Sequence, residues 1–436
     1  MKLELKRRVV GPPANPPANL RWLICGYLLA IITLLTMTVT TLHDYEPGFI
    51  SGRRPPSGYY DFLAVAGFLV FGLSSLYCSR MTDRIGVRAG MTIAASFWSI
   101  SCLAQAFPQT PITFAVAVCA LVASAGGLVP GAFKALAEWF PRCDKALGFG
   151  IVFCGALGGV YIAPKLSDLL VEGFGWPSVF IFFAAIGLLW ILAWQAISTI
   201  PTKNRLVLVE ELAYIQQDRE AIVPGVPLLA LVFYRPAIAS MLAGAFIFPC
   251  LRFGFTDLPV YIEHKYGGLI PDLEVFNAII LFLGALGAIG GGLASSELFR
   301  HGRSLARSRM DVMLIGAGLC LCLPLVPLVS PPLTAAILAG LAAMGFTALV
   351  VCVACMTSDM LPKSSSASTA GLGLLFGCVG AMFMGRFVDW LQATIRWEFS
   401  SFLSVPILVI VSVVSIYLTV PKFKVVEQNE FSSIHH

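Results

Sequence analysis

The feature that most constrains this chain is a series of long apolar segments with almost no charged residue. The clearest are Leu23–Leu42, Met91–Phe107, Ile112–Ala137, Ile279–Ala294 and Phe402–Val420. Each approaches or exceeds the ~20 residues that an α-helix needs to cross the hydrocarbon core of a bilayer. A strand of a membrane β-barrel would need only ~9–11 residues of alternating polarity, so segment length favours helices. The sequence therefore predicts an all-α membrane protein.

The composition excludes an ordinary soluble protein. Hydrophobic residues make up 58% of the chain and charged residues 12%, whereas an average soluble domain has roughly 25% charged residues. The net charge of +5 is explained by basic loops between the apolar segments, so no nucleic-acid partner is expected. Cys352 and Cys355 form a CxxC pair, but no further Cys or His lies nearby to complete a metal site. Neither a metal nor a cofactor is predicted.

Hydropathy and helix-breaking residues place twelve membrane-spanning helices along the chain. They lie near 22–43, 59–79, 88–106, 112–138, 145–170, 176–199, 236–262, 272–295, 310–329, 332–358, 366–390 and 399–420. A polar connection at about Pro201–Pro227 follows the sixth helix and divides the chain into halves. The predicted organisation is a tail at 1–21, a six-helix bundle at 22–200, a linker at 201–235, a second six-helix bundle at 236–420 and a tail at 421–436.

The distribution of basic residues predicts the orientation of the chain in the membrane. With both termini on the cytosolic side, the loops of the opposite side hold only Arg53, Arg54, Lys265 and Arg396. So lopsided a distribution is what the positive-inside rule describes. The basic, proline-rich segment before residue 20 is accordingly predicted to be a cytosolic tail, because the apolar run after it is too long for a signal peptide.

Two similar charged loops occupy corresponding positions in the two halves. Ser79–Arg88 follows the second predicted helix of the first half, and Ser295–Arg303 follows the second predicted helix of the second half. Each loop combines charged residues with a glycine. Duplicated segments of this kind are typical of transporters built from two pseudo-symmetric repeats, with the solute crossing between them.

The charges of these loops suggest a gate. In the first loop an acid ends a helix, a glycine permits a tight turn, and two arginines flank that glycine. Such charges can pair with a neighbouring helix end and separate when the two bundles rock. The alternative is an ordinary charged turn. The predicted gating residues are Asp83, Arg84, Gly86, Arg88, Glu297 and Arg300.

Further landmarks are spread over the second to eleventh predicted helices. They are Pro130, Trp139-Phe140-Pro141, Lys145-Ala146, Gly148, Gly155, Gly158, Ala163-Pro164, Gly175-Trp176, Phe180, Gly187-Leu-Leu-Trp190, Trp194, Pro201, Glu211-Leu-Ala-Tyr214-Ile215, Pro259-Val-Tyr261, Gly302-Arg-Ser304, Arg309, Asp359-Met-Leu-Pro362 and Gly371. Together with the first charged loop, they resemble the anion:cation symporters of the major facilitator superfamily. That family includes bacterial hexuronate and galactonate transporters, vesicular glutamate transporters and sialin.

The resemblance implies a major facilitator fold and a secondary transporter that works by alternating access between two bundles. It implies a small organic anion as solute, such as a hexuronate, an aldonate or another carboxylate, cotransported with a cation, either a proton or sodium. The expected surroundings are the lipid bilayer of a bacterial inner (plasma) membrane, and we expect a monomer. No enzyme is expected, since the sequence offers no Ser-His-Asp set, metal cluster or phosphate-binding loop.

The chain departs from this family where the family binds anions and carries protons. Such transporters end their first helix with Asn-Tyr-x-Asp-Arg, and the matching positions here run from Leu35 to Val39. Ala125 stands where the family has a coupling Glu, and Val118 stands for an Arg of the glutamate branch. Two alternatives therefore stay open beside the anion transporter: a facilitator of a neutral sugar-like solute and a non-transporting membrane sensor.

Few charged residues remain inside the predicted membrane helices, where such a group usually faces a cavity or a partner. Arg252 lies roughly 16 residues into the seventh helix, ~24 Å from its inner end. It either faces the cavity, pairs with an acid of another helix or reaches to the membrane surface. Lys134 is either a cavity residue or an i,i+4 partner of Glu138. The predicted solute-binding residues are Arg252, Lys134 and Asp257.

Overall fold

All regular secondary structure is helical within the residues that the computed structural model describes, 20–44, 58–107, 110–218, 227–254, 258–266, 273–360, 363–394 and 397–419. The first half contains α1 (Leu20–Asp44), α2 (Tyr59–Ile85), α3 (Val87–Ala106), α4 (Pro111–Trp139), α5 (Arg142–Phe174) and α6 (Trp176–Ile197). Two short helices follow, α7 (Val209–Ile215) and α8 (Leu228–Phe233). The second half contains α9 (Arg235–Arg252), α10 (Leu258–Tyr266), α11 (Leu273–Arg300), α12 (Leu305–Cys320), α13 (Pro332–Met360), α14 (Ser366–Thr394) and α15 (Trp397–Thr419).

The ends of the helices follow from the residues found there. The Thr110 hydroxyl caps α4 by accepting a hydrogen bond of 3.2 Å from the backbone N–H of Thr113. Pro111 occupies the first turn of that helix, where a missing N–H costs nothing. Gly86 separates α2 from α3 with φ 87°, a left-handed conformation that side chains with a Cβ rarely adopt. The chain therefore turns sharply between two charged helix ends.

Eleven helical segments of the described chain are long and apolar enough to cross a membrane. The seventh predicted span, 236–262, contains two described helices, α9, which ends at Arg252, and α10, which begins at Leu258. Residues 255–257 lie outside the described part of the chain, so the continuity of this span stays a prediction. Pro249 lies one turn before the end of α9. Its ring removes a backbone donor from the helix, which weakens the helix at this point.

The ninth predicted span, 310–329, falls on a segment long enough to cross the membrane, Leu305–Leu328, but this segment is not α-helical throughout. The α-helix ends at Cys320, and the chain continues as a 3-10 helix over Leu323–Leu328. Pro327 lies inside this 3-10 helix. Proline cannot supply the N–H that an α-helix needs, so the tighter turn replaces the last α-helical turns.

The two halves approach each other closely at one side of the membrane region. We call it the basic face: the side at which α2, α4, α11 and α13 end and α5, α12 and α14 begin. Glycines permit the approach. A Cβ on Gly150 of α5 would overlap the backbone carbonyl oxygen of Ala288 on α11. A Cβ on Gly371 of α14 would likewise overlap the backbone carbonyl oxygen of Ser75 on α2. The absence of a side chain therefore lets helices of the two halves touch backbone to backbone.

We expect the basic face to be cytosolic, and two reporter fusions test this orientation. Val207 lies between α6 and α7, whereas Gly267 follows directly after α10. A reporter that is active in one compartment only should therefore give opposite results when it is fused after Val207 and, separately, after Gly267. Equal activity of the two fusions would contradict the predicted topology.

Candidate functional site

Three clusters of buried charged residues join the two bundles at the basic face. Their acids are Asp83, Asp144 and Asp359, whose side chains are at most 3% exposed. A charge removed from water is stabilised only by opposite charges and hydrogen bonds around it. Each cluster therefore holds the bundles together in this conformation and has to separate if the basic face is to open.

The Asp83 cluster joins α2, α4 and α14. The ammonium group of Lys134 lies 2.8 Å from Asp83 Oδ1, and it also donates to the carbonyl oxygen of Thr82 at 3.3 Å. The other carboxylate oxygen accepts hydrogen bonds from Ser368 N at 2.8 Å and from Ser368 Oγ at 2.5 Å. Ser368 lies in the first turn of α14, where unpaired N–H groups and the helix dipole favour an anion. Asp83 thus connects the first bundle to the second.

The Asp144 cluster joins the start of α5 to the end of α11. Arg300 Nη2 donates to Asp144 Oδ1 at 2.5 Å, and Tyr214 of α7 donates its hydroxyl to Oδ2 at 2.9 Å. Arg21 Nη2 lies 3.4 Å from the same Oδ2. Burial, together with the neighbouring Cys143 and Asp144, raises the pKa of Tyr214, so the hydroxyl keeps the proton that it donates.

The Asp359 cluster joins α5 to α12 and α13. The ammonium group of Lys145 lies 2.9 Å from Asp359 Oδ1, and Arg309 Nη2 lies 3.4 Å from Oδ2. Arg309 also donates to Ser295 Oγ at 2.8 Å and to the carbonyl oxygen of Arg142 at 2.9 Å. The three charged side chains are at most 1% exposed. Lys145 and Arg142 belong to the first half, so this cluster also bridges the bundles.

The predicted gating residues differ in what they contact. Asp83 and Arg300 reach the other bundle directly, and Glu297 accepts a hydrogen bond of 2.6 Å from Arg300 within α11. Arg88 donates instead to Gln195 of α6 at 2.9 Å, inside its own bundle. The exposed side chain of Arg84 makes no hydrogen bond or ion pair with the described part of the chain. Of the three predicted gating arginines, Arg300 is the one whose described contacts reach the other bundle.

The predicted solute-binding residues are not brought together. Lys134 forms a buried ion pair with Asp83, in which the two groups lie 2.8 Å apart. The partner of Lys134 is therefore Asp83 and not Glu138, the predicted i,i+4 partner. Asp257 lies outside the described residues. Arg252 is the last residue of α9 and is half-buried. Among the described residues, no hydrogen bond or ion pair of its side chain is found.

An apolar cavity lies beside Arg252. It encloses about 100 Å³, and both neighbours of Arg252 in the chain, Leu251 and Phe253, belong to its lining, although Arg252 does not. Leu157 of the first half and Thr347 of the second half also line it. Ligand pockets usually enclose ~300–1,000 Å³. In this conformation the cavity is therefore too small for a sugar-sized solute.

A wider cleft of about 600 Å³ lies between α5 and α11, away from the basic face. Lys165 of α5 and Glu274 of α11 form an ion pair of 3.2 Å in its lining, with side chains 50% and 69% exposed. Tyr161 accepts a further hydrogen bond from Lys165 at 3.1 Å. The two helices, in close contact at Gly150, thus enclose open space towards the opposite side.

Sequence reasoning missed most of the residues that form the three clusters: Asp144, Lys145, Arg309, Asp359, Ser368 and Tyr214. Several of them stood among the family landmarks, but a landmark carries no information about its partner. A usable signal was the placement of charged residues at the ends of otherwise apolar helices, such as Asp144 after Pro141. Among the described residues, no group of three or more His, Cys, Asp or Glu side chains is placed to hold a metal ion.

We expect Asp83→Asn to slow transport while the solute affinity of the folded protein stays near wild type. The amide can still accept a hydrogen bond from Ser368, but it no longer carries the charge that pairs with Lys134. The closed basic face should therefore lose stability without any change in a solute contact. The rate and the concentration dependence of exchange in proteoliposomes measure the two effects separately. Turnover at the wild-type level would reduce the loop to a charged turn.

Comparison of the sequence with known proteins gives a consistent result. The profile of the Major Facilitator Superfamily matches residues 31–385. The hexuronate transporter of Escherichia coli (strain K12) is 25% identical over 369 residues, which cover 81% of this chain and 83% of that protein. The galacturonate transporter of Dickeya chrysanthemi is 22% identical over 357 residues, covering 79% of this chain and 97% of that protein. The predicted family resemblance is confirmed.

Comparison of the fold agrees with the sequence matches. The structure of the proton:xylose symporter XylE superposes with a TM-score of 0.71 at 14% sequence identity, covering 96% of this chain and 98% of that one. An identity this low supports the fold alone. The predicted all-α major facilitator fold is confirmed.

Proposed function

The chain belongs to the major facilitator superfamily and is a multi-pass secondary transporter rather than an enzyme, and from this premise we propose that its solute is a small organic anion such as a hexuronate or another sugar acid. The observation that carries the proposal is the similarity to hexuronate and galacturonate transporters over about four-fifths of the chain. The proton:xylose symporter XylE, by contrast, is matched in fold alone.

We propose that transport proceeds by alternating access, with the basic face as the gate on the cytosolic side of a bacterial inner membrane. In the present conformation the three charged clusters close that face. Opening requires Asp83, Asp144 and Lys145 of the first bundle to leave Ser368, Arg300 and Asp359 of the second. Each lost pair exposes groups that water can then solvate, so the two states can be close in free energy.

We further propose that Arg252 binds the carboxylate of the solute. The described buried cations of the gate, among them Lys134, Lys145 and Arg309, already have acids as partners. Arg252 is not paired with any described acid, and its chain neighbours line the apolar cavity. A carboxylate that leaves water needs a fixed cation with several donors, and a guanidinium group provides two parallel ones. The apolar cavity would have to enlarge when the gate opens, so that the guanidinium group of Arg252 can contact the solute.

Coupling to an ion is a separate proposal. The family positions for the Asp-Arg pair and the coupling Glu hold Thr38, Val39 and Ala125, none of which titrates. Proton-driven uptake would therefore depend on another carboxylate, with Asp257 and Glu138 nearest to hand. We expect a weaker response to an imposed pH gradient than in typical relatives, with uniport or sodium coupling instead. Strong proton-driven accumulation that survives Asp257→Asn and Glu138→Gln would contradict this proposal.

A thermal-shift comparison of purified protein tests the solute class. A solute at about 100 times its Kd stabilises the state that binds it by ~2.7 kcal/mol. Galacturonate and glucuronate should therefore raise the unfolding temperature, whereas galactose and glucose, which differ in lacking the carboxylate, should not. Stabilisation by the neutral sugars alone would contradict the anion proposal and support a neutral-sugar facilitator.

A further inference from the structure

The linker helix α7 is attached to the same residues that form the gate. Glu211 Oε1 accepts a hydrogen bond of 3.1 Å from the backbone N–H of Arg21 at the start of α1. The Tyr214 hydroxyl donates a hydrogen bond of 2.9 Å to Asp144. Just after α7, the Asp218 carboxylate accepts a hydrogen bond of 2.8 Å from the backbone N–H of Arg142. Glu211 is fully buried and Tyr214 is 5% exposed. The helix is therefore packed into the protein and does not lie free on its surface.

The polar contacts found for this segment within the described part of the chain are with the first bundle. Arg21 also stacks on Tyr214, with its guanidinium carbon 4.6 Å from the ring centroid. Cys143 contacts the Tyr214 hydroxyl at 3.4 Å and accepts from Gln217 at 3.2 Å. We call α7 with its following turn, residues 209–218, the linker clamp. It covers the starts of α1 and α5.

The two oxygens of the Asp144 carboxylate have different partners. Oδ2 faces the first bundle, where Tyr214 and Arg21 bind it, and Oδ1 faces Arg300 of the second bundle. Because a carboxylate is rigid and planar, hydrogen bonds that hold one of its oxygens also fix where the other oxygen points. From this division we propose that the linker clamp positions Asp144 for its partner across the gate, with Tyr214 as the positioning residue. The Glu211-Leu-Ala-Tyr214-Ile215 segment thereby acquires a role in closing the basic face.

The clamp also explains how Asp144 can leave Arg300 during the cycle. A buried carboxylate left without partners would strongly oppose opening. Tyr214 and Arg21 move with Asp144 because all three belong to one packed unit, so the carboxylate keeps a hydrogen bond and a cation when Arg300 withdraws. The inference rests on the proposed alternating-access cycle, but it needs no knowledge of the solute.

Two native thiols report separately on the clamp and on the gate. Cys143 lies beneath the clamp and is 6% exposed. Cys355 of α13 is fully buried at the boundary of the two bundles, where it packs with apolar residues of the first bundle. Its sulfur lies 3.6 Å from Asp359 Oδ2. A maleimide reaches a buried thiol only when the structure around it opens, so the alkylation rate reports the open population.

The test is site-resolved alkylation of the full-length protein in detergent, followed by mass spectrometry. Tyr214→Phe removes one hydroxyl and keeps the ring, and it should accelerate alkylation of both Cys143 and Cys355 by at least about tenfold, the lower end of the factor expected for losing a hydrogen bond to a charged group. Tyr77→Phe, a change of the same kind at a side chain that is 73% exposed, should leave both rates at the wild-type value. Buried Cys102 should stay slow throughout.

A double-mutant cycle separates positioning from simple packing. In an Arg300→Gln background the gate contact is already lost, so Tyr214→Phe should not accelerate Cys355 further. The inference would be overturned if Tyr214→Phe accelerated alkylation of Cys143 alone, changed neither thiol, or accelerated buried Cys102 as well. It would also be overturned if the effects of Tyr214→Phe and Arg300→Gln on the Cys355 rate multiplied independently. None of these outcomes depends on whether the solute is an anion, so failure of the clamp and failure of the proposed solute are distinguishable.

Discussion

Asp359→Asn is expected to open the basic face and to lower the unfolding temperature markedly. Asp359 is the shared acid of Lys145 and Arg309, and the side chains of both cations are at most 1% exposed. Removing one partner of a buried ion pair costs ~3–5 kcal/mol, because the remaining charge stays buried without compensation. Here two cations are left. Moving Lys145 away from Arg309 relieves part of that cost, so the population should shift towards the open gate.

Thermal unfolding and alkylation of Cys355 measure the two parts of this prediction. Asp311→Asn is the matched control, because Asp311 pairs with Arg303 at the surface, where an ion pair contributes only ~0–1 kcal/mol. We expect the control to behave like wild type in both measurements. An Asp359→Asn protein that melts at the wild-type temperature with Cys355 still protected would show that the cluster does not hold the gate.

Arg252→Ala is expected to abolish binding and transport of a sugar acid while the protein stays folded. The loss of two charge-assisted hydrogen bonds, each ~1.5–3 kcal/mol, predicts an affinity at least about a hundredfold lower. Arg252→Lys should weaken binding less, since the charge remains but the two parallel donors do not. Galacturonate-induced stabilisation and galacturonate exchange measure both variants against wild type.

Arg205→Ala provides the control for this prediction. Arg205 lies in the linker with an exposed side chain, so its removal changes the net charge equally without touching the cavity. Undiminished galacturonate transport by Arg252→Ala would remove Arg252 from the binding site. Undiminished transport of galactose, together with no response to galacturonate, would point to the neutral-sugar facilitator.

The fold was largely predictable because the membrane imposes it. Apolar segments such as Leu23–Leu42 have to form helices, since no other single segment satisfies its backbone hydrogen bonds in hydrocarbon. The difference arose where proline interrupts an apolar run. Pro327 lies in a segment long and apolar enough to span the membrane, yet the helix there tightens from α to 3-10. Hydropathy measures the transfer of side chains into lipid and is insensitive to these backbone effects.

The contacts between the bundles at the basic face were predictable only in part. Asp83 could be identified because a carboxylate, a glycine turn and two arginines are adjacent in sequence. Its partners Lys134 and Ser368 lie 51 and 285 residues away along the chain, and no local pattern links them. Lys134 illustrates the difficulty: a lysine in an apolar helix is consistent with a solute contact, an i,i+4 pair or a distant acid. Only the packing of α2 against α4 selects the third.

The most direct test of the account is counterflow of labelled galacturonate into proteoliposomes that contain the purified protein. Vesicles preloaded with unlabelled galacturonate should take up the label rapidly and transiently without any ion gradient, because exchange requires only that the loaded carrier alternate between its two states. Vesicles preloaded with galactose should not. An organic-anion carrier that works by alternating access predicts this pair of results. Absence of counterflow with galacturonate and other sugar acids, in protein that is folded, would contradict it.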